Sequence, residues 1–300
     1  HPDLTDLKRW ARKARKLGCL HVGLQGGEPL LHPQIVQVVE YCKSLGLSVS
    51  MSTNGFLLTP ELAADLGDAG LDTLQVSIDR ARPRASTRKS LKTLAPMLEV
   101  LKNRPYRVQV AGVLFADTLD ECDEVLDHCL AMGFSTHFRL VHPDPSREFR
   151  VSSGDRTKLQ AFLDEMTLRK ASGQRIHTSW AILDYQKGLL EGRKLDWTCT
   201  AGYKYFFISS RGKYWPCSMY RTEVDIMNVT TEQLQALYTV KDCQDSCGVY
   251  CVVSTSLLSQ HPYRFLAGEL GPKGLLPRGR GWWETDDDAL EAPPLEGSPQ

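Results

Sequence analysis

Residues 22–33 read VGLQGGEPLLHP. A short apolar run stops at two glycines, and a glutamate and a proline open the next segment. Glycine at a strand-to-helix corner lets a ligand approach the backbone closely, and such corners line the ligand-binding end of parallel α/β sheets. Alone, a Gly-Gly-x-Pro corner is equally a tight connection set by turn chemistry. The segments on either side decide between the two.

Before the corner, Leu4, Leu7, Ala11, Ala14 and Leu17 recur at helical spacing, and 21–24 reads as a strand. After it, 33–45 reads as a helix with Ile35, Val38, Val39, Cys42 and Leu45 on one face. The cycle repeats, with strands over 48–52, 73–78, 107–115 and 137–141 and helices over 60–69, 89–102 and 120–132. Alternation of this kind implies a parallel sheet flanked by helices. Periodicity does not say whether the sheet curls into a barrel.

After HPDPSREF at 142–149 the rhythm changes to helices over 157–170 and 182–190, then a cysteine-rich stretch. This places a first domain at 1–145, a helical connection at 146–196 and a small domain at 197–266. Residues 267–300 are rich in Gly, Pro and acid without an apolar period and are expected to be a disordered tail.

The chain of 300 residues is 42% hydrophobic, enough for a large core, and its 36 Lys and Arg balance 36 Asp and Glu. That balance removes the electrostatic argument for a nucleic-acid partner, and no apolar run is long enough for a membrane span. No secretory signal opens the chain, so the cytoplasm is the default compartment. Nine cysteines are many for that compartment, and five of them, Cys199, Cys217, Cys243, Cys247 and Cys251, crowd one region. Clustering under reducing conditions favours a metal over disulfides.

The ends of the first three strands deliver Glu28, Ser52, Asn54, Ser77 and Asp79 to one rim. Hydroxyls, an amide and carboxylates there suit a ligand with an amine, a ribose and a carboxylate. His137, Arg139 and His142 lie near a further strand end, where a structural role and a substrate-facing one are equally open.

GGEPLL, STNG and VSID, in this order and spacing, resemble the radical S-adenosylmethionine (SAM) enzymes. The resemblance covers about 21–140 and resumes in the cysteine-rich segment. It implies a partial (β/α)6 TIM-type barrel, here lacking its first strand. It also implies reductive cleavage of SAM to a 5′-deoxyadenosyl radical that takes hydrogen from a peptide or small-molecule substrate, with electrons from a donor such as flavodoxin or ferredoxin. By the same resemblance Gly26, Gly27, Glu28 and Pro29 meet the methionine amine, Ser77 sits at its carboxylate, and Arg88 is the basic residue paired with that carboxylate. Arg82 and Arg84 are rivals better read as a solvated loop.

The chain has no C-x3-C-x2-C triplet for the SAM-binding cluster, and Cys19 stands alone. The expectation is that the triplet belongs to a missing N-terminal segment, that this piece alone does not cleave SAM, and that it folds poorly with the edge at 21–24 unpaired. The C-x12-G-x4-C pattern from Cys199 to Cys217, followed by C-x3-C-x3-C, resembles SPASM or Twitch auxiliary-cluster domains of α+β type. Five cysteines fit one auxiliary [4Fe–4S] cluster with one thiol spare, and which four ligate stays open. A zinc site is the alternative metal reading. The alternative function is a non-catalytic SAM- or peptide-binding barrel with a metal-stapled appendage.

Overall fold

The computed structural model describes residues 1–85, 87–114, 118–140, 153–193, 197–244, 247–263 and 265–266. The expected tail at 267–300, and the stretch 141–152 that holds the expected boundary and His142, lie outside them. Five strands, β1 (His21–Leu24), β2 (Ser48–Thr53), β3 (Thr73–Ser77), β4 (Arg107–Leu114) and β5 (Ser135–Leu140), form one parallel sheet in chain order. Strand order that never reverses has no doubly wound switch point, so successive crossovers return on one side and the sheet curls toward a barrel. β1 is an edge, paired in the sheet only with β2.

The crossovers are α2 (Ile35–Ser44), α3 (Pro60–Asp68), α4 (Leu91–Leu101) and α5 (Leu119–Ala131), with α1 (Leu4–Lys16) ahead of β1. Boundaries shift from the sequence expectation where caps act. The helix expected from 33 begins with a separate 3-10 turn at Pro29–Leu31, capped by Glu28. The helix expected from 89 starts later, because the Ser90 side chain accepts the Thr93 N–H. β5 begins two residues before its expected start, since Ser135 and Thr136 continue the ladder opposite Gln109 and Val110.

Register gives the sheet two chemically distinct faces. Val49, Met51, Leu74, Val76, Val110 and Phe138 point to the helices and are fully buried. Gly112 belongs to this face because a β-carbon there would stand 2.3 Å from the Phe138 ring. On the opposite face, Ser50 and Ser52 align with Thr73 and Gln75, then with Gln109, Ala111, His137 and Arg139. Alternation in register thus separates a dry core from a polar concave surface.

α6 (Ser153–Ala171) and α7 (Trp180–Glu191) carry Leu163, Met166, Ile182 and Leu183 into the same core. Beyond them lie a hairpin of β6 (Phe207–Ile208) and β7 (Tyr214–Trp215), a short α8 (Thr231–Gln235) and α9 (Tyr250–Gln260). The barrel core runs on into Trp197, Cys199, Cys247, Tyr250 and Leu257. A second core joins Trp10 of α1 to Tyr214, Ile226, Val229 and Leu234. Trp10 lies over the hairpin turn, where Gly212 has φ 72° and a β-carbon would fall 2.8 Å from the indole. No helix among the described residues is long and apolar enough to cross a membrane.

The loop after β3 is held by a buried ion pair: Arg80, with 0% of its side chain exposed, meets Glu121 at 3.0 Å. Arg84 reaches the same carboxylate at 3.1 Å, and the Arg82 N–H donates to its other oxygen. Burial pushes the Glu121 carboxyl up, but the Arg80 hydrogen bond, the Arg82 N–H and the two guanidinium charges outweigh it and hold it at about 2. Removing one partner strands the other charge, so Glu121→Gln is expected to cost about 3–5 kcal/mol in urea denaturation at neutral pH. With the folded value depressed, this stability is complete above the unfolded carboxyl range near 4.5 and is lost as pH falls toward 2. The gap between wild type and Glu121→Gln should close over that window, and a gap that stays constant with pH would contradict the assignment.

Candidate functional site

The rim begins where β1 ends. Gln25, Gly26 and Gly27 are exposed, and a β-carbon at either glycine would touch nothing within 4 Å. Gly26 has φ 146°, a conformation that favours glycine. Glu28 is half-buried, and its carboxylate holds the corner in place. Oε1 accepts the Leu30 N–H at 3.1 Å and the Thr53 hydroxyl at 2.7 Å, and Oε2 accepts the Asn54 N–H at 2.8 Å. A carboxylate has about four acceptor positions, so three are spent on the chain and one remains for a ligand amine. Glu28 therefore ties the β1 corner to the end of β2, a role the sequence did not reveal.

Thr53 was the residue passed over within STNG. Period-two alternation places its side chain on the buried face, yet its hydroxyl turns to Glu28. Asn54 is brought to the same corner by its backbone, while its side chain accepts the Phe56 N–H at 2.9 Å and shapes the following turn. Ser52 and Ser77 are half-buried on the polar face, linked through Gln75, which is in register with Ser52.

Asp79 is buried at the end of this row, with Oδ2 against Lys89 Nζ at 2.7 Å. Its Oδ1 is buried with no hydrogen-bond partner among the described residues. Lys89, not singled out by the sequence, is thus the cation paired with Asp79. Its neighbour Arg88 is exposed and meets no carboxylate among the described residues. Arg82 and Arg84 are engaged with Glu124 and Glu121, each at 3.1 Å. They hold loop to helix and are not merely solvated.

Among the five clustered cysteines, Cys199, Cys217, Cys243 and Cys247 stand near one another. Cys199 and Cys247 are buried; burial raises both thiols, Cys247 to about 12, and the neighbouring Cys217 and Cys243 raise them further. Backbone N–H groups of Ala201 and Val249 point at these two sulfurs and partly offset the rise. Lys241 donates to the Cys199 carbonyl at 3.0 Å, and the Tyr185 hydroxyl donates to the Cys247 carbonyl at 3.0 Å. The Cys251 sulfur takes a 3.8 Å contact from Arg139 Nη1 of β5, with Tyr205 beside it. Among the described residues no three His, Cys, Asp or Glu side chains converge as a single-ion site.

The radical SAM superfamily profile matches residues 1–151, the part that contains the sheet and its polar rim. The chain belongs to the radical SAM superfamily. Membership implies SAM and a [4Fe–4S] cluster as cofactors. An AdoMet-dependent heme synthase of Methanosarcina barkeri is 29% identical over 221 residues, which is 65% of this chain and 61% of that protein. The chain thus spans about three-fifths of the length of this relative. Streptococcus suis SuiB bound to S-adenosylmethionine superposes with a TM-score of 0.59 at 16% identity, over 81% of this chain and 59% of that one. Native anSMEcpe with bound AdoMet and Cp18Cys peptide gives 0.60 at 17% identity, over 84% and 80%. At these identities the likeness is one of fold.

The rim lies at the C-terminal ends of the strands, the end at which parallel α/β sheets bind their ligands. A cleft of about 450 Å³ lined by Asp127, Gly133 and Arg169 instead opens at the opposite end, where barrel residues serve stability. The Glu28 strut makes a direct claim on the backbone. Glu28→Gln replaces one carboxylate oxygen with a donor facing a donor, so either the Leu30 or the Asn54 amide should lose hydrogen-exchange protection, at a cost of about 1–3 kcal/mol. Unchanged protection at both amides would show that the carboxylate does not hold the corner.

Proposed function

We propose that this chain carries the SAM-holding rim and the auxiliary-cluster site of a radical SAM enzyme acting on a peptide or small molecule. The observation that carries the reading is the open Gly26–Gly27 backbone beside a rigidly tied Glu28, at the head of a polar row that continues through Ser52 and Ser77 to Asp79. The donor set fits SAM: an acceptor for the amine at Glu28, hydroxyls for ribose and carboxylate, and an unpartnered buried Asp79 oxygen at the far end of the row. When bound, SAM supplies the 5′-deoxyadenosyl radical that takes hydrogen from the substrate. The protein's part is to grip the methionine and ribose ends, hold the substrate over the polar face and exclude water. No cysteines of this chain have the C-x3-C-x2-C spacing of a SAM-binding cluster.

Cys199, Cys217, Cys243 and Cys247 are the proposed ligands of the auxiliary cluster. Their chemistry fits it: four thiols in a small domain, two of them buried and each receiving a backbone N–H, as Fe–S sulfurs do. A cubane binds each thiolate through a different iron, so its ligands stand farther apart than the four of a zinc ion, which share one centre at about 2.3 Å. Thiols bind iron as thiolates, so assembly of the cluster would release protons. Electrons are proposed to come from a small donor protein such as flavodoxin or ferredoxin.

Two measurements test this. Gly27 has room for a side chain in the free protein, so Gly27→Val should keep its melting temperature yet lose SAM in equilibrium dialysis, and retained SAM would overturn the placement of the rim. Anaerobic reconstitution should yield about four irons and four sulfides, lost in Cys217→Ala and Cys247→Ala and kept in Cys251→Ser. About one zinc and no sulfide would make the small domain a structural staple.

A further inference from the structure

Where the small domain closes over the polar face, four elements meet. Gln25 from the β1 corner and Cys251 of α9 both stand beside Tyr205, and the Cys251 sulfur receives Arg139 Nη1 of β5 at 3.8 Å. Register puts Arg139 beside Val113 at the C-terminal end of the row that contains Ser77, Ala111 and His137. Arg139 meets no carboxylate among the described residues. Its guanidinium carbon lies 5.9 Å from the centre of the Tyr250 ring, which supports the cation from one side.

Three polar atoms around this point are buried without partners among the described residues: Arg139 Nε, His137 Nδ1 and Tyr250 Oη. His137 is 2% exposed and Tyr250 4%. Buried donors and acceptors are nearly always satisfied, so three orphans around one half-buried cation call for an absent partner. With Nη1 turned to Cys251, the Nε–Nη2 edge of Arg139 is free, and that edge presents two parallel N–H donors in one plane. His137 is held neutral, by burial first and then by Arg139 and His177, so the pocket carries a single positive charge. A planar anion of unit charge matches that edge better than a phosphate, which seeks more cations.

We propose that Arg139 anchors a carboxylate of the substrate on the polar face, with Tyr250 and Tyr205 walling the site. This names the substrate class for the reading above and rests on it. SAM also carries a carboxylate, and the row assigns that group to Ser77, on β3, two strands from Arg139. The substrate is therefore an organic acid or a peptide with an acidic group near the reacting carbon.

The test titrates the reconstituted chain calorimetrically with benzoate, with neutral benzamide and with SAM. Wild type should prefer benzoate over benzamide by about tenfold or more, the worth of a charge-assisted pair. Arg139→Gln should erase that preference and leave SAM affinity unchanged. A benzoate preference that survives Arg139→Gln would overturn the proposal, and so would a parallel loss of SAM affinity, which would give Arg139 to the cofactor. If Arg139→Gln does not fold, Arg139→Lys decides: it keeps the charge without the two-donor edge and should lose most of the preference, and full preference in it would refute the anchor. A wild type that binds no SAM yet shows an Arg139-dependent benzoate preference would overturn the SAM reading while supporting the carboxylate site.

Discussion

Everything in the molecule depends on five parallel strands keeping one register. A one-residue slip in any of them would carry Met51, Val76, Val110 or Phe138 to the concave side and bring Ser52, Gln75, Gln109 or His137 under the helices. The cost would be paid twice, as apolar area left in water and as polar groups buried without partners. The close fit of Phe138 over Gly112 narrows the register further, because only a residue without a side chain fits beneath that ring. The polar rim is therefore a product of core packing, and its geometry is as firm as the core itself.

Around that sheet, charge is used sparingly and locally. Arg80 and Glu121 close the loop after β3 from inside, and Lys89 neutralises Asp79 beside the rim. These pairs fix loops that would otherwise be mobile connections at the binding end. Arg139 differs in having been given aromatic and thiol neighbours in place of a carboxylate. The segment after α7 contributes to the same surface through Cys251, so Arg139 is met by a residue 112 positions downstream.

Much of this was legible in the chain itself. The βα alternation gave the parallel sheet, and GGEP, STNG and VSID gave the rim, because both rest on local pattern. The roles of individual side chains were less so. Glu28 reads as a ligand for an amine until Thr53 and the Asn54 N–H are seen to share it, and that contact joins residues 25 positions apart. Lys89 and Arg88 are adjacent, and sequence offers no reason to choose between them; only the path of the loop does. The contact of Cys251 with Arg139 is likewise invisible in spacing, because it joins residues 112 positions apart.

The seat of Trp10 over Gly212 has a bearing on how the chain is made. α1 leaves the ribosome early, but its indole cannot be covered until the hairpin has been synthesised, roughly 200 residues later. At about 5–20 residues per second the Trp10 indole waits some 10–40 s uncovered. During that interval the exposed indole is a natural landing place for a chaperone, and synthesis of the hairpin is what releases it.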